Sequence, residues 1–207
     1  MSDISRVELS ATTVIKRFFS AEAFQRELEV YMRGMSFTPR LLDYREPDWI
    51  QLERVKGLPY LDTEITTQNI ILIAQAIMEF HSSTYSEGKC LCHWDNQPGN
   101  ILLSDASCYL IDFADAQMCF PEDDLSHLFL FWAGEFNPIL LKELCDSFLN
   151  IYEQRITVNR SIWNDALQRS IERFDQRRLQ HHKALSRLDA TTFNTNREIL
   201  RTLFLDS

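Results

Sequence analysis

Residues 5–18 alternate weakly between apolar and polar positions. Val7 and Leu9 come first, then a polar break from Ser10 to Thr13, then Val14 and Ile15 with Phe18. A period of two predicts two short strands joined by a turn, with Lys16 in the second. The period then changes. Phe24, Leu28 and Tyr31 recur at spacings of four and three, which predicts a helix over residues 21–33 behind an N-cap at Ser20. Glu27 shares that apolar face, whereas Glu29 points elsewhere. Gly34 ends the helix. Residues 40–44 and 49–55 read as strands around a turn at Glu46-Pro47-Asp48.

Residues 67–82 form a second helical pattern. Ile70, Ile71, Ile73, Ala74, Ile77, Met78 and Phe80 make it apolar nearly all round, the mark of a buried helix. His81, near its end, reads as a capping or core residue. Residues 89–93 read as a short strand. Asp123 and Asp124 suit the start of a further helix, where acids meet the positive end of the dipole. Leu141, Leu144, Phe148 and Tyr152 form one later helical stripe, and Trp163, Leu167, Ile171 and Phe174 another. A last helix begins at Thr192 and carries Ile199, Leu200 and Leu203.

The stretch from residue 92 to 115 carries the chemistry. A turn at Pro98 and Gly99 is followed by an apolar run (101–103), a polar break (104–107) and a second apolar run (109–111) that ends on Asp112. This is a loop followed by a hairpin. It brings Asn100, at the entry, near Asp112, at the exit, with Asp95 on the loop facing both. Oxygen side chains converging in this way suit magnesium, which keeps room for water and substrate phosphates. A further carboxylate at the rim can take a proton from an incoming hydroxyl.

The residues His93-Trp94-Asp95, Asn100 and Asp112-Phe113-Ala114 resemble the catalytic loop and metal motif of the protein kinase-like superfamily: His-x-Asp, four residues, Asn, then Asp-Phe-Gly. The Pro98-Gly99-Asn100 ending and the segment 111–116 are most similar to the aminoglycoside phosphotransferase and choline kinase branch. The resemblance implies an α+β, two-lobed kinase-like fold. Residues 1–55 would be an abbreviated N-lobe with a short antiparallel sheet, and residues 56–207 a mainly helical C-lobe. It implies ATP and Mg2+ as cofactors, with Asn100 and Asp112 on the metal and Asp95 as the proton acceptor. Lys16 would grip the nucleotide phosphates and Glu27 would hold Lys16, with Glu29 as runner-up. Residues 52–57 resemble the hinge that meets adenine through its backbone, at Glu53 and Val55. The implied reaction moves the γ-phosphate to a hydroxyl of a small molecule or a protein. The short segment ending in Asp124-Leu125, with no Ala-Pro-Glu, favours small molecules.

Two positions depart from that pattern. No glycine precedes Lys16, so Ser10, Thr12 or Thr13 would have to meet phosphate in place of a glycine-rich turn. Ala114 stands where the metal motif has glycine. The alternative reading is therefore a pseudokinase-type binding or regulatory module, needing a protein partner to complete its nucleotide lid. Transfer of a nucleotidyl group is a third reading.

Composition adds limits. The chain has 207 residues, 45% hydrophobic and 25% charged, with 14 Phe and 4 Trp, as expected of a globular domain with an aromatic core. A net charge of −9 disfavours nucleic acid as a partner and fits a cationic small substrate. Arg169, Arg173, Arg177, Arg178, Lys183 and Arg187 gather late in the chain; a solvated helix face is the expectation, and an acidic docking partner the alternative. Five cysteines, an odd number scattered through apolar runs, predict reduced thiols. Cys90, Cys92 and His93 read as a half-buried strand, because no second Cys/His pair follows at zinc spacing. His181 and His182 are adjacent, so they do not share a helix stripe as a metal pair. The N-terminal segment carries Asp3 and Glu8 and no signal-type apolar core. The apolar run 128–133 is too short to span a bilayer, and no membrane insertion is expected. These features predict a cytoplasmic protein, or one delivered to a host cytosol.

Overall fold

The computed structural model describes residues 5–104, 107–180 and 186–204. His181, His182 and Lys183 lie outside the described residues, as does Asp3. In chain order the elements are β1 (Ser5–Leu9), β2 (Thr13–Phe18), α1 (Ala21–Met32), β3 (Leu41–Arg45), β4 (Trp49–Glu53), β5 (Leu58–Pro59), α2 (Thr67–Ser82), β6 (Cys90–Cys92), β7 (Ile101–Ser104), β8 (Ser107–Leu110), β9 (Gln117–Cys119), α3 (Pro121–Ala133), α4 (Pro138–Tyr152), α5 (Arg160–Gln180) and α6 (Ala190–Thr202). The chain is mixed α+β, as expected. It divides into two compact units, Met1–Ile65 with His93–Gln117, and Thr66–Cys92 with Met118–Ser207.

The first unit holds an antiparallel sheet of order β1-β2-β4-β3. The polar break after β1 makes its own turn: Ser10 Oγ accepts from the Thr13 N–H at 2.9 Å. In α1, Ser20 Oγ accepts from the Ala23 N–H at 3.3 Å, the predicted N-cap. The buried face of α1 is Ala23, Phe24, Glu27, Leu28, Val30 and Tyr31. Phe24 meets Phe18 of β2 edge to face, with ring centroids 5.5 Å apart. β3 and β4 run Leu41–Arg45 and Trp49–Glu53, one residue later and two residues shorter than the pattern predicted, with an irregular register between Leu41 and Asp43. A second sheet, β5-β7-β8, contains the hairpin predicted from residues 101–111. Gly57 approaches it closely just before β5, where a Cβ would stand 3.0 Å from the Leu103 carbonyl oxygen.

The second unit is mainly helical. α2 has the predicted bounds and packs on α4, while α3 packs on α5. Phe129, Trp132, Phe148 and Trp163 are all buried. Phe129 stacks on Trp132 at 5.1 Å and meets Phe148 edge to face at 5.4 Å. Burying each such ring stabilises the fold by roughly 1.5–3 kcal/mol. The Trp163 indole N–H donates to the Leu200 carbonyl at 2.8 Å, which ties α6 to α5. Asn196, unmarked by any stripe, donates to the Ala133 and Phe136 carbonyls, each at 2.8 Å.

The arginine cluster partly folds onto this unit's own acids. Arg169 pairs with Asp123 at 2.7 Å, Arg187 pairs with Glu135 at 3.3 Å, and the Arg178 guanidinium lies over the Phe174 ring at 4.9 Å. No helix among the described residues is long and apolar enough to cross a membrane. The cysteines differ from the expectation. β6 pairs with β9, which brings the Cys92 and Cys119 Cα atoms to 6.0 Å, and their sulfurs form a disulfide. Cys90, Cys108 and Cys145 are free and buried.

Candidate active site

Alternation along β2 turns Lys16 inward, and helical spacing turns Glu27 inward from α1. Lys16 Nζ donates to Glu27 Oε2 at 2.5 Å and to Asp112 Oδ1 at 2.6 Å. The Lys16 and Glu27 side chains are 7% and 1% exposed, while that of Asp112 is 46% exposed. Burial alone would lower the Lys16 pKa, but the Glu27 and Asp112 carboxylates outweigh it and the net shift is upward. Complete burial pushes Glu27 up to about 7 against the opposing pull of Lys16. Burial would raise Asp112 as well, yet the Lys16 ammonium holds it below the usual carboxylate range.

The loop before the hairpin is tied to its exit. The His93 Nε2–H donates to the Ile111 carbonyl at 2.9 Å, and its Nδ1 accepts from the Asp95 N–H at 3.3 Å. The Ile111 N–H donates to the Asn100 carbonyl at 3.0 Å. The Asn100 side-chain amide donates to the Asp95 carbonyl at 2.7 Å and to Asp95 Oδ2 at 3.1 Å. Gln97 donates to the same Oδ2 at 3.1 Å. The structure therefore joins Lys16, Glu27 and Asp112 in one cluster and Asp95 with Asn100 in another, linked through His93 and Ile111.

Trp94 and Asp112 have φ of 63° and 66°. Left-handed backbone at such residues costs on the order of 1–3 kcal/mol each and gathers at functional sites. The positive φ falls on Asp112 itself and not on Ala114, so the missing glycine does not obstruct this conformation.

Sequence reasoning missed the supports. The Tyr31 hydroxyl accepts from the Asp112 N–H at 3.4 Å, and Arg26 donates to the Ala114 carbonyl at 2.8 Å. Phe113 packs between the His93 ring, at 4.8 Å, and the Tyr31 ring, at 5.4 Å. Tyr31 lies four residues after Glu27 on the same helix face, a spacing visible in sequence but read there only as core. Glu53 is the last residue of β4, and Val55 lies two residues beyond it, outside the strand. The Glu53 N–H is already given to the Arg40 carbonyl at 2.9 Å, and its carboxylate lies 3.5 Å from the Arg40 guanidinium.

Over residues 33–157, more than half of the chain, the sequence matches the phosphotransferase enzyme family. The chain belongs to that family. The matched segment contains Asp95, Asn100 and Asp112 and begins after Lys16 and Glu27. No curated protein matches the chain. Among solved structures, an aminoglycoside phosphotransferase in a ternary complex with streptomycin and ATP is 15% identical, covering 83% of this chain and 79% of that one, with a TM-score of 0.58. The ethanolamine kinase of Plasmodium vivax is 12% identical, over 96% and 82%, with a TM-score of 0.61. The choline kinase LicA of Streptococcus pneumoniae is 13% identical, over 100% and 91%, with a TM-score of 0.53. The expected kinase-like fold stands, and this member of the family is a kinase-like phosphotransferase.

Proposed function

We propose that the chain is an ATP- and magnesium-dependent phosphotransferase that moves the γ-phosphate to a hydroxyl of a small molecule or a protein. The observation that carries this reading is the Lys16 bridge, with one ammonium held by a buried acid and by the acid of the metal motif. The donor set fits magnesium. Asn100 spends its amide nitrogen on Asp95, which leaves its carbonyl oxygen as the donor, and Asp112 keeps a second oxygen outside the Lys16 bond. Bound there, magnesium would neutralise charge on the nucleotide phosphates.

The remaining roles fall to the chain's own groups. Glu27 fixes Lys16, and Lys16 offers its charge to the phosphates. Asp95, oriented by Asn100 and Gln97, takes the proton of the acceptor hydroxyl as its oxygen bonds to the γ-phosphorus and the bond to the β-phosphate breaks. Glu53, through its carbonyl since its N–H is given to Arg40, and Val55 offer backbone groups to the adenine, residues 1–55 act as the abbreviated nucleotide lobe, and the enzyme works in the cytoplasm. ATP appears with one of the similar structures, and the relatives named for ethanolamine and choline act on small hydroxyl-bearing amines. The net charge of −9 suits such a cation. The Ser10–Thr13 turn, without glycine, favours the second reading, a module whose lid a partner completes.

The test is labelled ATP, given to the protein alone and with lysate. Label should move to an acceptor only with magnesium, and Asp112→Ala should abolish the transfer. Wild-type protein with no magnesium-dependent ATP binding overturns the reading.

A further inference from the structure

Within the second unit, four metal-ligating side chains, none of them used by the phosphotransfer reading, come from three elements. Alternation along β6 places Cys90 and Cys92 on one face, with their sulfurs 3.7 Å apart. Two thiolates sharing a tetrahedral zinc at about 2.3 Å stand about 3.8 Å apart. His81 enters from the last turn of α2, and the ligand atoms of His81, Cys90 and Cys92 all lie within 4.8 Å of one another. Cys119, from β9, is bonded to Cys92. His93, which sequence grouped with the two cysteines, instead turns to the Ile111 carbonyl.

The imidazole is set for a ligand. His81 Nε2 lies 3.1 Å from Asp124 Oδ2, a carboxylate that accepts, so Nε2 carries the proton. The lone pair then sits on Nδ1, where it accepts from the Tyr152 hydroxyl at 2.7 Å. A carboxylate behind a histidine is the support that metal-bound imidazoles use. His81, Cys90 and Cys92 are fully buried and Cys119 is half-exposed, so Cys119 is the side of the disulfide that solvent reaches.

We propose that His81, Cys90, Cys92 and Cys119 form a zinc-type site that opens when the Cys92–Cys119 disulfide is reduced. A low-molecular-weight dithiol supplies the two electrons and two protons that convert the disulfide into two thiols. On metal binding, the Cys90, Cys92 and Cys119 thiols release their protons to solvent, and His81 exchanges the Tyr152 hydroxyl for the ion. Disulfide and metal are mutually exclusive, because both require the Cys92 sulfur.

The test titrates metal-free, full-length protein with Co2+, once after reduction and once after oxidation by a diazene dithiol oxidant. The reduced chain should take up one Co2+, with a thiolate-to-cobalt charge-transfer band in the near ultraviolet, and Zn2+ should displace it. The oxidised chain should show no band. Cys90→Ser and His81→Gln should each weaken uptake at least tenfold, while Cys108→Ser should leave it unchanged. Circular dichroism checks that the variants fold, and the redox comparison on wild type needs no substitution. Reduced wild type without the band, or Cys108→Ser as damaging as Cys90→Ser, overturns the proposal. Magnesium gives no such band, so this outcome is independent of the phosphotransfer reading.

Discussion

Lys16 and Asp112 stand 96 positions apart in sequence, yet the ammonium of one donates to the carboxylate of the other at 2.6 Å. The same ammonium holds Glu27 at 2.5 Å, so one cation satisfies a buried acid and a half-exposed one. Removing the cation leaves Glu27 uncompensated at full burial. Breaking a buried pair from one side costs about 3–5 kcal/mol. Lys16→Met should lower the unfolding free energy by about that much, and Lys16→Met with Glu27→Leu should recover most of it. Urea denaturation of the two variants measures both. Phosphotransfer should be lost in each, which separates the structural role of the pair from its chemical one.

The Glu27 carboxyl, raised to about 7 by burial, gives the site a pH limb. Protonated Glu27 anchors Lys16 without charge, so kcat/KM should rise with pH through about 7. Glu27→Gln should lack the limb and stay at a low plateau. Stability carries the opposite sign. Between the ordinary carboxyl range and about 7, the folded chain keeps a proton that the unfolded chain has lost, so this group's contribution falls as pH rises across that window. Denaturant midpoints at about pH 5 and pH 8 give the check, since Glu27→Gln should flatten the difference.

Asp95 receives two amide donors on one oxygen, from Asn100 and from Gln97, each at 3.1 Å. Asp95→Asn keeps the shape and removes the proton acceptor. Its kcat should fall by about 10²–10⁴ with little change in the KM for nucleotide. Gln97→Ala removes one bond to a charged group, worth about 1.5 kcal/mol, so its kcat should fall roughly tenfold. Steady-state kinetics with the acceptor identified by labelled ATP distinguishes the two. If Asp95→Asn raises only KM, Asp95 binds substrate and does not take the proton.

Much of this was legible in sequence, for a physical reason. Periodicity reports which face of an element is buried, so an acid at Glu27 on an apolar helix face announced its need for a cation before any coordinates. The hairpin after Gly99 was equally plain, and β7 and β8 fall within two residues of the pattern. What periodicity cannot carry is which faces meet. The 27-residue separation of Cys92 and Cys119, the placing of His81 beside Cys90, and the Asn196 link to the end of α3 arise from tertiary packing of elements far apart in the chain. The arginine cluster shows the same gap: a row of charges looks solvated until Asp123 and Glu135 are found opposite two of them.

Gly57 carries the last prediction, because it couples packing to the hairpin that presents Asn100 and Asp112. Its missing Cβ would stand 3.0 Å from the Leu103 carbonyl oxygen and 3.1 Å from Leu102 Cβ. The first contact is backbone, so it cannot be relieved by a rotamer change. Gly57→Ala must push β7 away from β5, and overpacking of this kind costs about 1–3 kcal/mol. β7 begins at Ile101, directly after Asn100, so the displacement should reach the Asn100 bonds to Asp95. The expected result is a lower denaturation midpoint together with a reduced kcat. Gly99→Ala is the comparison, since a Cβ there meets nothing within 4 Å and should leave stability nearly unchanged. Equal loss of stability in the two variants would show that close approach to Leu103 is not what holds Gly57 in place.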